Sequence, residues 1–252
     1  MNRILFETDE IVDGIATFGG ERAEHVMNVL HGEVGQVLKT GEINGLIGTS
    51  VIIAIKGEAA SSPLVENELS ISVRCTHTGK SLQPWIDLIL APPRPRVMKR
   101  LLPQLATMGV GRIFLVGAKK VEKDFWGATL LKPENYRPLF IDGLMQAGTS
   151  ILPTLETRRN FRKFVKEELD GLWPEAKRIV AHPYGAQSTA IDGNRRLPVL
   201  LAVGPEGGWT DDEVELLEEH GFARYSLGSR ILRTDTATIA LLAQLMKEFD
   251  KC

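Results

Sequence analysis

Between Leu200 and Leu245 the chain runs apolar strand, glycine turn, helix, strand, glycine turn, helix, and this order constrains the fold more than any other feature. Leu200 to Val203 is an unbroken apolar run, as expected of a strand covered on both faces in a parallel sheet. It stops at Gly204-Pro205. Pro205 cannot donate to a sheet ladder, while Gly204, Gly207 and Gly208 allow positive φ and close approach of another group. Glu206 is the one charge in that loop. Thr210 followed by Glu213 has capping-box spacing, and Asp211 and Asp212 suit the positive end of a helix dipole. That helix is expected to end near His220, with Gly221 at C′. Ala223 to Leu227 reads as the next strand, broken at Gly228-Ser229. Thr234 reads as a second N-cap, ahead of Ala237, Ala240, Leu241 and Leu245 at helical spacing. Two buried strands that each end in a glycine turn present bare backbone amides and carbonyls to a small ligand, which is a cofactor-site pattern.

The alternation extends upstream. Strands are predicted at Ile86 to Ala91, Ile113 to Val116, Arg178 to Ala181 and Leu197 to Val203. Helices are predicted over about Pro95 to Met108, Pro133 to Ala147 and Arg159 to Leu169. Strands alternating with helices imply an α/β fold with a largely parallel sheet. Residues 1 to about 72 differ. Short apolar runs (Val34 to Leu38, Leu46 to Ile55, Leu69 to Val73) and one short helix around Glu21 to Leu30 have the texture of a small β-barrel. Gly57 to Glu68 is a low-complexity loop near the boundary, so two domains are expected, 1–72 and 73–252.

Several classes are disfavoured. The 252 residues are 43% hydrophobic and 25% charged, ordinary globular values, with a formal net charge of −2. Any nucleic-acid binding must therefore come from local basic patches. No apolar run of about 18 residues and no basic leader occurs, so a soluble cytoplasmic protein without membrane association is expected. Cys75 and Cys252 are the only cysteines and are expected as free thiols. Cys75-x-His77 lacks the further ligands a metal site needs, so no metal is expected. Gly109-Val110-Gly111 lacks the third glycine of a dinucleotide fingerprint and precedes a strand. No nucleotide-hydrolysing P-loop and no Gly-x-Ser-x-Gly elbow is present, which disfavours Ser188 or Ser229 as nucleophiles.

Gly204-Pro205-Glu206-Gly207-Gly208-Trp209, followed by Leu227-Gly228-Ser229-Arg230-Ile231-Leu232-Arg233-Thr234-Asp235-Thr236-Ala237, resembles the C-terminal signature of the bacterial small-subunit ribosomal RNA uridine-N3 methyltransferases, within the SPOUT superfamily. Leu90 to Trp126, with its Pro-Arg-Pro turn, Met-Gly-Val and Val-Glu-Lys, is similar to a branch of that family. His25-Val26-Met27-Asn28-Val29-Leu30 resembles its N-terminal His-x-x-x-Val-Leu element. The pattern differs at four positions, where the family usually has Arg at His31, Glu at Met145, Arg at Thr149 and Glu at Asp235.

The resemblance implies a SPOUT-like methyltransferase domain with a C-terminal trefoil knot, preceded by a PUA-like RNA-binding domain. It implies S-adenosyl-L-methionine as cofactor, uridine N3 of 16S ribosomal RNA as the methylated atom, and a homodimer. Val203, Gly204, Pro205, Gly207 and Gly208 would enclose the methionine part of the donor. Leu227, Gly228, Ile231 and Leu232 would cover adenine, and His182, Pro183 and Tyr184 would complete the pocket. Arg233 is the first catalytic candidate, as a cation facing the base or its phosphate, and Glu206 the second, as orienter or proton acceptor. Arg94, Arg96, Lys99 and Arg100, with Arg230, are candidate RNA contacts, although a solvated helix face explains the first four nearly as well. The cluster Arg158, Arg159, Arg162, Lys163 and Lys166 is diluted by Glu167, Glu168 and Asp170. Two alternatives stay open: a related enzyme acting on another RNA atom, and a non-catalytic RNA-binding or ribosome-assembly factor.

Overall fold

A computed structural model describes residues 2–57, 69–184 and 197–249. The chain divides into two units, Met1–Gln83 with Leu144–Leu152, and Pro84–Gly143 with Pro153–Cys252. Most of the expected Gly57 to Glu68 loop lies outside the described residues.

The first unit contains β1 (Ile4–Phe6), β2 (Ile11–Val12), β3 (Ile15–Phe18), α1 (Gly20–Asn28), β4 (Val37–Glu42), β5 (Ile47–Lys56) and β6 (Ser70–Gly79). They form one sheet in the order β1-β4-β5-β6-β3-β2, antiparallel except for β1 against β4. Alternation builds it. Along β5, Ser50 and Ile52 are buried while Val51 and Ile53 face outward. Ile52 joins Phe6, Phe18, Val26, Leu38, Ile71 and Val73 in the core. Thr40 and Ser50, both fully buried, satisfy each other at 2.6 Å, and His77 Nε2 lies 2.8 Å from the Thr40 hydroxyl. Two expectations shift. Strand β4 begins at Val37, because a turn bonded from Gln36 N–H to the Glu33 carbonyl precedes it. The boundary expected after residue 72 falls inside β6, whose outer half, Arg74 to Gly79, is mostly polar and carries no apolar run to mark it.

The second unit alternates β7 (Ile86–Leu90), α2 (Pro95–Thr107), β8 (Val110–Val116), α3 (Pro133–Ala147), β9 (Thr154–Arg158), α4 (Phe161–Glu167), α5 (Leu169–Leu172), β10 (Lys177–Ala181), β11 (Val199–Val203), α6 (Asp211–Glu219), β12 (Ala223–Tyr225) and α7 (Thr234–Phe249). The last turn of α3 belongs to the first unit, where the Asn2 and Arg3 amides donate to the Met145 carbonyl at 3.0 Å. The sheet order is β12-β10-β11-β7-β8-β9, with every pair parallel. All residues of β11 are buried, as its unbroken apolar run requires. The helix expected over Arg159 to Leu169 divides into α4 and α5, and Asn160 caps α4 by accepting from Lys163 N–H at 3.0 Å. Trp173 packs edge-on against Phe114 and donates its indole N–H to Asp87 at 2.7 Å. The same carboxylate takes the Arg112 guanidinium at 2.7 Å, so these polar groups are paired where they are covered.

Topology fixes where a ligand fits. The chain runs outward through β7, β8 and β9, returns to β10 and β11, and then crosses β10 to lay down β12 at the other edge. Such reversals open a crevice beyond the carboxyl ends of the strands. Among the described residues, no helix is long and apolar enough to cross a membrane.

Candidate functional site

The carboxyl ends of β10, β11 and β12 lead into three loops that wall a cavity of about 480 Å³. This is the size range of small-molecule sites. His182, Pro183 and Tyr184 come from the β10 end; Gly204, Pro205, Glu206, Gly207 and Gly208 follow β11; Leu227, Gly228, Arg230, Ile231 and Leu232 follow β12. The loops are joined to one another. His182 N–H donates to the Tyr225 carbonyl at 3.0 Å, and the Ser226 hydroxyl to the Pro183 carbonyl at 3.3 Å. The Thr234 hydroxyl reaches the Gly204 carbonyl at 3.4 Å, connecting the start of α7 to the first glycine loop.

Two glycines of that loop have identifiable reasons. Gly208 has φ +68°, a conformation other residues adopt only at a cost of ~1–2 kcal/mol. A Cβ at Gly204 would stand 3.0 Å from Trp209 N and 3.2 Å from the indole, so any side chain there would press the ring that folds back over the loop outward by a few tenths of an ångström. Trp209 is itself 5% exposed and stacked on Phe161, and its indole N–H has no hydrogen-bond partner among the described residues. The main-chain amides of Leu227, Ile231 and Leu232 likewise carry no hydrogen bond among the described residues. The Trp209 indole N–H is a buried unpaired donor, which costs free energy until an acceptor meets it, whereas Leu227 is half-buried and Ile231 and Leu232 are exposed, so their amides are open to water and can exchange it for a ligand's acceptor atoms.

The loop is braced from outside. Helix α6 opens with the capping box that its spacing predicts: Glu213 accepts from Thr210 N–H at 2.9 Å. Its second oxygen accepts from Lys119 N–H at 2.7 Å, which occupies both sides of a carboxylate only 4% exposed. The Lys120 ammonium donates to the carbonyls of Gly207 at 2.8 Å and Trp209 at 3.4 Å. Glu206 is exposed and accepts the Arg94 N–H at 3.0 Å, while Asp235 meets Arg100 at 3.4 Å.

The structure thus brings to one cavity His182, Pro183, Tyr184, Val203, Gly204, Pro205, Glu206, Gly207, Gly208, Leu227, Gly228, Arg230, Ile231 and Leu232. Arg233, Arg94, Arg96, Lys99 and Arg100 lie outside its wall and are exposed. The expected N-cap at Thr234 moves back by one residue. Ala237 N–H bonds to the Arg233 carbonyl at 2.8 Å, making Arg233 the cap and Thr234 the first helical residue. Sequence reasoning missed nine wall residues, Lys120, Trp209, Asp211 and Thr234 together with Ala181, Tyr225, Ser226, Ala237 and Leu241. The capping-box spacing placed Asp211 and Trp209 next to the loop, but nothing in the letters pointed from Lys120 to Gly207, 87 residues away. In the second basic cluster Arg158 bridges Glu156 and Glu168, Arg162 meets Asp212, and Lys163 meets Glu167. Among the described residues, no group of three or more His, Cys, Asp or Glu side chains is placed to hold a metal.

The chain is similar to known proteins over most of its length. An RNA methyltransferase domain family matches residues 80–246. Ribosomal RNA small subunit methyltransferase E of Treponema pallidum is 30% identical over 251 residues, covering 98% of this chain and 91% of that protein. Ribosomal RNA small subunit methyltransferase E 1 of Borreliella burgdorferi is 27% identical, covering 95% of each. A Legionella pneumophila protein, solved as a methyltransferase in complex with the bound cofactor SAM, superposes with a TM-score of 0.73 at 25% identity, covering 98% of this chain and 97% of that one. Ribosomal RNA small subunit methyltransferase E from Neisseria gonorrhoeae has the same fold, with a TM-score of 0.73, 20% identity and coverage of 98% and 97%. A match that takes in the whole crevice-forming sheet, together with full-length relatives at this identity, means that the chain belongs to the RNA methyltransferase family.

Proposed function

We propose that this protein methylates uridine N3 in small-subunit (16S) ribosomal RNA, using S-adenosylmethionine. The observation that carries the reading is the cavity at the carboxyl ends of β10, β11 and β12, walled by both glycine loops and holding unpaired donors of Trp209, Leu227, Ile231 and Leu232. Family membership, the names of the Treponema and Borreliella relatives and the SAM-bound Legionella relative support it. The donor fits physically. It has carboxylate, ribose and adenine acceptors for backbone N–H groups, an apolar adenine face for Ile231 and Leu232, and a size that about 480 Å³ accommodates.

S-adenosylmethionine supplies an electrophilic methyl on a sulfonium, so the protein's work is to bind, orient and manage one proton. The loop Gly204 to Gly208 holds the methionine end, Leu227 to Leu232 grips adenine, and His182-Pro183-Tyr184 closes the third side. Holding both reactants in line can supply ~7–11 kcal/mol of barrier reduction. The N3 proton of uridine must leave for the ring nitrogen to attack. Arg233, exposed at the α7 cap, stabilises the anion that develops on the base. Glu206, whose carboxylate accepts the Arg94 amide, serves as orienter or takes up the N3 proton, which otherwise passes to water. The first unit acts as a PUA-like barrel that holds RNA, the second carries a SPOUT-like trefoil knot, and two chains pair as a cytoplasmic homodimer.

Mass-spectrometric mapping of ribosomal RNA from a strain lacking this protein tests the assignment. Loss of one 3-methyluridine in small-subunit RNA is expected. Loss of a ribose or guanine methylation instead reassigns the atom, and an unchanged map removes the enzymatic reading.

A further inference from the structure

Helix α2 begins in an electrostatically unusual way. Its cap residue, Arg94, makes no side-chain cap, Pro95 follows, and the first turn has no acidic residue but carries Arg96. Cations at the amino end oppose the helix dipole, and the missing negative charge arrives from elsewhere in the chain. Glu206, 112 residues away in the first glycine loop, accepts the Arg94 N–H at 3.0 Å. Further along α2, Arg100 meets Asp235 at 3.4 Å, and Asp235 lies on the first turn of α7, beside the second glycine loop. The first glycine loop and the first turn of α7 therefore each send one carboxylate to the same basic helix.

These contacts sort the cations of α2 into two kinds. The Arg94 guanidinium is paired with Glu122 at 3.0 Å and the Arg100 guanidinium with Asp235. Arg96 and Lys99 are exposed and have no ion pair among the described residues. They sit at i, i+3 spacing on the outward face, opposite buried Met98, Leu101 and Leu102.

Resting on the RNA-methylation reading above, we infer that Glu206 and Asp235 are positioning residues that lock α2 beside the donor cavity, leaving Arg96 and Lys99 as the phosphate contacts of that helix. The sign of one substitution separates this from a surface coincidence. Deleting an incidental carboxylate near a bound polyanion strengthens RNA binding, because a repulsion is lost. Deleting a carboxylate that aligns the phosphate contacts weakens it.

The test measures binding of a uridine-containing single-stranded RNA of about 12 nucleotides to the full-length chain across a salt series, with S-adenosylhomocysteine titrated calorimetrically in parallel. Arg96→Ala and Lys99→Ala should each lower the slope of log K against log salt by about 0.7, while Arg94→Ala and Arg100→Ala leave it within about 0.2 of wild type, well inside one contact. Glu206→Ala and Asp235→Ala should weaken RNA binding several-fold at unchanged melting temperature, and Glu206→Gln, which keeps an acceptor for Arg94 N–H, should recover part of the loss. Equal or tighter RNA binding by both alanine variants overturns the inference, as does an equal slope change for all four cations. A wild-type chain that binds S-adenosylhomocysteine but not RNA overturns this inference alone, whereas one that binds neither also removes the methyl-transfer reading beneath it.

Discussion

The Lys120 ammonium stands 2.8 Å from the carbonyl oxygen of Gly207, with its stem against the same glycine: a Cβ added there would meet Lys120 Cδ at 3.0 Å. A side chain from the segment after β8 thus clamps the loop after β11. Loops lack a ladder to hold their carbonyls, and a cation bonded to Gly207 and Trp209 substitutes for one. Lys120→Met keeps the stem and removes the bonds. The ammonium is exposed, so the effect is modest: affinity for S-adenosylmethionine should fall about fivefold to tenfold, or ~1 kcal/mol, read by calorimetry, with little change in melting temperature.

Glu213 braces the same loop from below and is 4% exposed, with one oxygen on Thr210 N–H and the other on Lys119 N–H. Glu213→Gln preserves shape but turns an NH₂ group toward one of those donors. The variant should lose about 2–3 kcal/mol of stability in urea unfolding, because a buried donor is left unpaired and a charge-assisted bond is lost. Wild-type stability would mean that water replaces the lost partner at no cost.

Arg233 caps α7 through its main-chain carbonyl, leaving its exposed side chain outside the cavity wall. Arg233→Ala should therefore abolish methylation, by at least about a hundredfold in kcat, while donor affinity stays within about twofold of wild type. Parallel loss of both in a folded variant would assign the guanidinium to the donor pocket.

In the first unit His77 lies against the Thr40 hydroxyl, and burial holds its pKa below the ordinary 6.5, with Glu42 opposing and Arg3 assisting the shift. The folded state favours the neutral ring. Its contribution is complete above the unfolded value and is lost as pH falls below about 6.5. Wild-type urea midpoints should decline between pH about 7 and about 5 more steeply than those of His77→Gln. Parallel profiles would show that His77 is not responsible.

The features visible in the letters were those with local causes. The apolar run of β11 and the spacing from Thr210 to Glu213 each depend on neighbours within a few residues, and both elements formed as predicted. Strand β9, Thr-Leu-Glu-Thr-Arg, was not visible, because an edge strand is half solvated and its charges hide the period. The ties that organise the site, Glu206 to Arg94, Lys120 to Gly207 and Thr234 to Gly204, join residues 112, 87 and 30 positions apart, and no local pattern encodes them. Family resemblance identified the loops, whereas the bracing around them became legible only in three dimensions.

Calorimetric titration of the intact chain with S-adenosylmethionine tests the central claim most directly. The account predicts one saturable site per chain with a dissociation constant in the micromolar range, weakened by Lys120→Met. Absence of binding up to on the order of 1 mM donor, from a chain that is folded by circular dichroism, would contradict it.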